Sequence, residues 1–262
     1  MPSTIIDSHA HLDWESFKED RDVVIQRAFE SGVSQIVQAG VFLTSIPEAL
    51  ALAEGNANIF VGVGLHPHEA KLWESSSADK IREAAKHPKV VGIGECGLDF
   101  HYNFSEREQQ LTVFAQQVDL ARELKKPLII HTRNAWDDTF EILHKHGKGE
   151  VRGVFHCFTG GPEVIPEIKK LDFYVSFSGI VTFPKATDIQ AAAPLVPVER
   201  VLVETDCPYL SPQGMRGKRN EPANVWLVAE KVAQLRGTTK DDIANQTSEN
   251  ARRLFVLPLP AA

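Results

Sequence analysis

Six residues of types that commonly bind metal ions follow short apolar runs in this chain of 262 residues. The first two, His9 and His11 in IIDSHAHLD, have a single residue between them and follow directly behind such a run. Side chains two residues apart in a strand point to the same face, so both imidazoles can reach one ion. The other four candidate ligands come at the ends of later runs and are Glu95, His131, His156 and Asp206. Imidazoles and carboxylates gathered in this way indicate a metal centre.

These candidate ligands are more numerous than one tetrahedral ion requires. We therefore expect two divalent ions that share a bridging carboxylate, either Glu95 or Asp206. Two cations about 3.5 to 4 Å apart lower the pKa of a bound water and neutralise charge on a phosphoryl oxygen, which predicts hydrolysis by a metal-activated water. Glu95 and Asp206 are the predicted catalytic residues, and Asp206 can also accept the proton of that water. Mixed imidazole and carboxylate ligands also suit Zn²⁺.

Eight β-branched runs would position these residues, and each run ends in a polar or glycine-rich turn. The runs are TIIDSH, QIVQAG, IFVGVG, VVGIGE, PLIIH, GVFH, FYVSFS and RVLVETD. Apolar strands that alternate with helices predict a parallel sheet covered on both faces. The predicted fold is α/β, a single (β/α)8 TIM barrel over residues 1–262 with the metal site at the C-terminal ends of the strands. An open doubly wound sheet is the alternative, although no dinucleotide-binding glycine fingerprint follows the first run.

Two of the intervening helices have clear boundaries in the sequence. Residues 105–125 repeat apolar side chains at helical spacing, and Ser105 with Glu108 has the pattern of a capping box. Residues 222–236 repeat the spacing, and Gly237 is the expected stop.

Several polar residues near the strand ends are assigned supporting roles. Asp7 and Glu204 each precede a candidate ligand by two residues, so they are expected either to orient imidazole rings or to be buried structural carboxylates. Four residues on the same predicted face are candidates for binding an anionic substrate, namely His66, Arg133, Lys185 and Arg216. Arginine binds phosphate oxygens in a bidentate manner, and histidine can donate a proton to a leaving oxygen.

The composition narrows the compartment and the partners. A net charge of −7 argues against a broad basic surface for nucleic acid, so an anionic substrate must be bound locally. The amino terminus lacks a basic segment before an apolar core, and no apolar run approaches the roughly 18 residues of a membrane span. Cys96, Cys157 and Cys207 each follow a candidate ligand and are expected to be small buried hydrophobes in a reducing compartment. A cytoplasmic enzyme with no membrane partner and no obligate protein partner is predicted.

The motifs together resemble the TatD family of metal-dependent deoxyribonucleases, which have amidohydrolase-like barrels. The resemblance runs from IIDSHAHLD through GLHPH, GECGLDF, IIHTRNAW, HCFTG and VLVETDCPYL to RGKRNEP, which is nearly the whole chain. It implies that His9, His11, Glu95 and Asp206 hold one ion and that Glu95 bridges to a second. The second ion would be completed by His131 and His156. The resemblance also implies Mg²⁺ or Mn²⁺ as the metal, and a 3′ to 5′ exodeoxyribonuclease acting on single strands or ends of DNA.

Two alternatives remain open from the sequence. The same metal centre could hydrolyse an ester or amide, as in a D-aminoacyl-tRNA deacylase, because metal and base would be shared between the two reactions. A non-catalytic metal-containing binding protein is the other alternative. The full set of candidate ligands, which includes the predicted base Asp206, disfavours a binding protein.

Overall fold

The computed structural model describes residues 3–260 of the chain. Within them, strands β1 to β8 span Ile5–Ala10, Val33–Gln38, Ile59–Val63, Val90–Asp99, Leu128–Arg133, Gly153–Phe155, Tyr174–Phe177 and Val201–Val203. Consecutive strands pair in parallel, in the order β1 to β8. The sheet curls until β8 returns to β1, where the Asp206 amide donates to the His9 carbonyl at 2.9 Å. This nearly closed (β/α)8 barrel confirms the predicted fold.

Helices cover the outside of the barrel. Helices α1 to α9 span Arg21–Glu30, Ile46–Glu54, Ser77–Ala84, Arg107–Leu124, Trp136–Gly147, Ile165–Leu171, Thr187–Ala192, Val225–Arg236 and Lys240–Phe255. The predicted stop of α8 at Gly237 is confirmed, with Gly237 in the left-handed region. Within residues 3–260, no helix combines the length and apolar character that a membrane span needs.

The capping box predicted for α4 was wrong by one residue. The box consists of Glu106 and Gln109, and the Glu106 amide donates to Gln109 Oε1 at 3.3 Å. Ser105 is not available for this role because its hydroxyl donates to the His68 carbonyl at 2.7 Å and accepts from the Lys71 amide at 3.1 Å. Its side chain therefore joins two loops on the face that carries the candidate ligands.

One apolar side chain from each strand fills the lower part of the barrel. These side chains form a single cluster of Ile6, Val37, Phe60, Val91, Ile129, Val154, Tyr174 and Leu202. Most of them are the first or second residue of their strand, so the cluster lies toward the amino-terminal ends. Leu254 and Phe255, at the end of α9, join the same cluster and cover it from below. The carboxyl ends of the strands are therefore left for polar side chains.

Two strands shift register where they carry candidate ligands. The shifts lie within residues 7–10 of β1 and residues 93–96 of β4, which contain His9 and Glu95. An extra residue in a strand bends it and re-aims a side chain. In β4 the irregular backbone also needs Gly97, because it has a φ of 135° and a Cβ there would lie 1.9 Å from a carbonyl oxygen of β5.

Candidate metal centre

Glu95 lies at the middle of the candidate ligands, and its two oxygens face different imidazoles. Oε2 lies 3.3 Å from His9 Nε2 and 3.7 Å from His11 Nε2. Oε1 lies 2.9 Å from His156 Nε2 and 3.3 Å from His131 Nδ1. One carboxylate therefore joins two sets of ring nitrogens, which is the geometry expected of a bridging ligand.

Asp206 joins only the first of these sets. Its Oδ1 lies 3.2 Å from His11 Nε2 and 3.7 Å from His9 Nε2. The residue follows β8 with a φ of 56°, and its side chain retains a small exposure of 13%. The ring of His9 also stacks on that of His156, with centroids 3.8 Å apart, so the two sets are in direct contact. All six candidate ligands are thus brought together, including His11, which lies one residue beyond the end of β1.

Carboxylates behind the rings orient two imidazoles. Glu204 Oε1 lies 3.3 Å from His156 Nδ1, so that nitrogen donates to Glu204, and Nε2, 2.9 Å from Glu95 Oε1, is the nitrogen left for a metal ion. Asp99 Oδ2 lies 3.0 Å from His131 Nε2, so for this ring Nδ1 faces the centre. Each imidazole therefore turns one nitrogen toward the centre, where it would bind a metal ion after releasing any proton it carries.

The structure gives Asp7 a different environment from the one expected of a residue that orients imidazoles. Its carboxylate accepts from the Thr205 amide at 2.9 Å and from the Thr205 hydroxyl at 2.6 Å. A longer bond of 3.3 Å comes from the backbone amide of His9, not from its ring. Asp7 is fully buried, and burial raises its pKa to about 8. It thus corresponds to the buried structural carboxylate of the two roles considered, and it ties β1 to the segment after β8.

His66 lies in the centre but faces it with a protonated nitrogen. Burial lowers the pKa of His66 to about 4, so the ring is neutral at pH 7. Its Nδ1 accepts from the His68 amide at 3.1 Å, which leaves the proton on Nε2. That Nε2 lies 3.2 Å from Glu95 Oε1. A nitrogen that carries a proton has no lone pair for a metal, so His66 is a hydrogen-bond donor within the site although its position would suit a ligand.

The electrostatics of the cluster favour bound cations. Burial alone would raise the pKa of Glu95, but the neighbouring imidazoles, above all His156 and His66, hold it well below its usual range. Burial also opposes ionisation of Asp206, and its hydrogen bond with His11 nevertheless lowers the pKa. Conversely, burial disfavours a charged His156, yet Glu95 and Glu204 raise the pKa of this ring well above normal. The site therefore holds ionised carboxylates and stabilises positive charge between them.

The donor set fits divalent metal ions. Several groups of three donors lie within 4.8 Å of one another among the described residues, and they include His9 with His11 and Asp206, and His9 with Glu95 and His156. The Nδ1 atoms of His9 and His11 have no hydrogen-bond partner among those residues, so the polar contacts of both rings are made by Nε2 toward the cluster. Buried carboxylates and ring nitrogens converging in this way are typical metal ligands.

An open cavity of about 530 Å³ leads to the cluster from the carboxyl ends of the strands. Two of the four predicted substrate-binding residues, Arg133 and His66, line it. The Arg133 guanidinium lies 4.7 Å above the ring of Tyr102. Lys185 and Arg216, the other two candidates, do not belong to the described lining. Lys185 is exposed to solvent, and Arg216 packs its guanidinium on Phe183 at 4.3 Å outside the cavity.

Two features of the site were missed from the sequence. Asp99 follows Glu95 by four residues in the same strand, which is the available signal, but the apolar run VVGIGE predicts a strand that ends at Glu95. Cys157 was expected to be buried, whereas it is partly exposed and lines the cavity, with its Sγ 3.3 Å from Ser178 Oγ. Its backbone has a φ of 42°, so the residue does not follow the simple alternation of a strand. Cys96 and Cys207 are buried as expected.

A parallel barrel with imidazoles and carboxylates at the carboxyl ends of its strands defines a metal-dependent hydrolase. The family described as TatD related DNase matches residues 6–256, and the chain belongs to that family. The metal-dependent hydrolase YabD of Bacillus subtilis strain 168, itself described as uncharacterized, is 43% identical over 96% of this chain and 98% of its own length.

Two further similarities agree with this assignment. A protein of Erwinia amylovora named 3′-5′ ssDNA/RNA exonuclease TatD is 38% identical over 97% of this chain and 100% of its own length. The crystal structure of YJJV, a TatD homolog from Escherichia coli K12, superposes with a TM-score of 0.91. It is 29% identical and covers 97% of this chain and 98% of its own.

Proposed function

We propose that this protein is a two-ion phosphodiesterase that removes nucleotides from single strands or ends of DNA in the 3′ to 5′ direction. The observation that carries the proposal is the division of donors around Glu95, whose two oxygens face separate pairs of imidazoles. Paired divalent ions suit phosphodiester cleavage because they can stabilise both the attacking and the leaving oxygen. The name of the Erwinia amylovora relative supports nucleic acid as the substrate.

Each ion would have its own ligands and share Glu95. His9, His11 and Asp206 would hold one, and His131 with His156 would hold the other. When bound, such ions supply Lewis acidity to a phosphoryl oxygen and make a water more acidic. Mg²⁺ or Mn²⁺ is the proposed native metal, and the imidazole content also suits Zn²⁺.

Two side chains are proposed to accept a proton or to donate a hydrogen bond during the reaction. Asp206 is the proposed general base because its lowered pKa keeps it ionised at neutral pH and its side chain borders the cavity. His66 also lines this cavity, and its Nε2–H points toward Glu95 Oε1, the oxygen that faces His131 and His156. It is therefore the proposed hydrogen-bond donor to a phosphoryl or leaving oxygen.

Arg133 is the proposed phosphate-binding residue. Its guanidinium lines the cavity and packs on Tyr102, and none of the ion pairs between described residues involves it. An arginine that is held by an aromatic ring keeps the edge of its fork free for phosphate oxygens.

The test is digestion of end-labelled single-stranded DNA by chelator-stripped protein to which Mg²⁺, Mn²⁺ or Zn²⁺ is restored, beside an Asp206→Asn variant. We expect a ladder that shortens from the 3′ end only with metal and only in the wild type. DNA that stays intact while an ester or an aminoacyl-RNA is cleaved would replace the phosphodiesterase proposal with the deacylase alternative. Metal-replete protein that turns over none of these substrates would support a binding protein.

A further inference from the structure

Two aromatic side chains form a corner at the mouth of the candidate metal centre. The rings of Trp14 and Tyr209 lie with centroids 5.5 Å apart at an interplanar angle of 83°. Both side chains line the cavity. Their centroids lie 5.9 Å and 6.4 Å from that of His11, so the corner borders the set of donors formed by His9, His11 and Asp206.

The backbone holds both rings in register with the candidate ligands. The Trp14 amide donates to the His11 carbonyl at 3.4 Å, and the Tyr209 amide donates to the Asp206 carbonyl at 3.0 Å. Asn220, which is fully buried, donates from Nδ2 to the Tyr209 carbonyl at 2.8 Å. Each aromatic residue is thus fixed by a turn that begins at a candidate ligand.

Tyr209 nevertheless keeps 46% of its surface exposed. An exposed aromatic ring on a fixed backbone gives little to the stability of the fold, but it is well suited to binding because only two side-chain torsions lose freedom when a ligand packs on it. Two flat surfaces at right angles accept a planar group, with its face on one ring and its edge toward the other.

We propose that Trp14 and Tyr209 form a nucleobase-binding subsite that stacks on an unpaired base next to the scissile phosphate. The inference rests on the proposed function, since it assigns a base to the strand that the metal centre would cleave. Stacking on an aromatic ring tolerates every base, because each has a π-face. A base inside a duplex has both faces covered by its neighbours, so the subsite selects single strands and frayed ends over paired ones.

The experiment compares two 5′-labelled single-stranded oligonucleotides of equal length. In one, every nucleotide carries its base, and in the other the 3′-terminal nucleotides are tetrahydrofuran abasic residues. The backbone, the charge and the scissile phosphates are the same in both. For the wild type we expect kcat/KM to be about tenfold or more higher on the complete strand, mainly through a lower KM.

The variants are Tyr209→Ala, Trp14→Ala and Tyr209→Phe. Each alanine variant should reduce the preference for the complete strand toward one, whereas Tyr209→Phe keeps the ring and should retain most of it. Leu195→Ala is the control, since Leu195 is an apolar residue with 45% exposure in the segment before β8, at the other end of the barrel. Metal content and melting temperature are measured for every variant.

The outcomes separate this inference from the function on which it rests. Wild-type protein that cleaves neither oligonucleotide when fully loaded with metal overturns the proposed function, and the subsite falls with it. A wild type that cleaves both strands equally, or alanine variants that lose the same factor on both strands, overturns the subsite alone. Loss of preference in Tyr209→Ala but not in Tyr209→Phe supports it.

Discussion

Asp99 Oδ2 lies 3.0 Å from His131 Nε2, on the side of the ring away from Glu95. The same oxygen lies 2.9 Å from His68 Nε2, so one carboxylate orients two imidazoles. The backbone of Asp99 is fixed by Gln110, which accepts from the Asp99 amide at 2.8 Å and donates to its carbonyl at 3.1 Å. The orientation of His131 therefore depends on a buried network that extends into α4.

Asp99→Asn tests this network. The amide has the size of the carboxylate but lacks its charge, so His131 is held less firmly with Nδ1 toward the centre. We expect the apparent metal affinity to fall about 10- to 100-fold, with much of kcat restored at saturating metal. The measurement is activity as a function of free Mn²⁺. An unchanged metal titration would show that His131 is oriented without Asp99.

The two acidic candidate ligands should differ in their effects on metal content. Glu95→Gln removes the one carboxylate that contacts both sets of imidazoles, so we expect loss of activity together with a lower number of bound ions. Asp206→Asn leaves the contacts of Glu95 with His131 and His156 intact. It should lower kcat by about 10²- to 10⁴-fold while retaining at least one ion per chain.

Elemental analysis of dialysed protein, set beside single-turnover rates, distinguishes the two variants. Full metal content in Glu95→Gln would contradict its role as a bridge. Loss of all bound metal in Asp206→Asn would make its kinetic defect uninformative about a general base.

The sequence predicted the barrel and the convergence of the six candidate ligands, because both depend on local patterns. Apolar runs mark the strands, and ligand-type residues at their ends must converge once the strands are parallel. Local patterns did not show which carboxylate, Glu95 or Asp206, lies at the middle of the site. The side chain of Glu95 is aimed by the register shift within residues 93–96, and such a shift depends on the neighbouring strand.

Roles that depend on loops were predicted less well. The positions of Lys185 and Arg216 after strand ends predict side chains near the substrate, but a position after a strand does not determine which way a loop folds. Arg216 instead packs on Phe183 outside the cavity. The residue types and spacing of Trp14 and Tyr209 did not indicate that these residues belong to the site. The turns that begin at His11 and Asp206 bring them to the mouth of the cavity.

Metal removal should lower the stability of the fold. The centre holds ionised carboxylates such as Glu95 and Asp206 in a buried site, where burial disfavours their charge and bound cations would offset that cost. Free metal at about 100 times its Kd stabilises the native state by about 2.7 kcal/mol. For a domain of this size, that corresponds to a rise in Tm of about 5 °C or more.

Calorimetry with chelator and with added Mn²⁺ measures this shift. Glu95→Gln should show a smaller rise than the wild type at equal metal concentration. An identical rise in the two proteins would place the stabilising ion elsewhere.

Gln117 should stabilise the segment that carries His66. It is fully buried in α4, accepts from the Leu65 amide at 2.8 Å and donates to the Leu65 carbonyl at 3.0 Å. Gln117→Leu leaves both backbone groups without these partners, so we expect a loss of about 2 to 5 kcal/mol in the free energy of unfolding. Gln116→Leu, on the exposed side of the same helix, should cost less than about 1 kcal/mol. Denaturant titration compares them, and equal losses would refute the role of the buried pair.

Arg133 and Lys185 should differ in their effect on nucleic-acid binding. Arg133 lines the cavity on the ring of Tyr102, whereas Lys185 lies outside the described lining. Arg133→Ala should therefore raise KM for single-stranded DNA and reduce the slope of log affinity against log salt by about 0.7, as expected for loss of one phosphate contact. Lys185→Ala should leave both quantities unchanged. The measurement is KM over a series of salt concentrations. Equal changes in the two variants would mean that the strand follows the outer loop after β7, and that Arg133 has no special role in holding the phosphate.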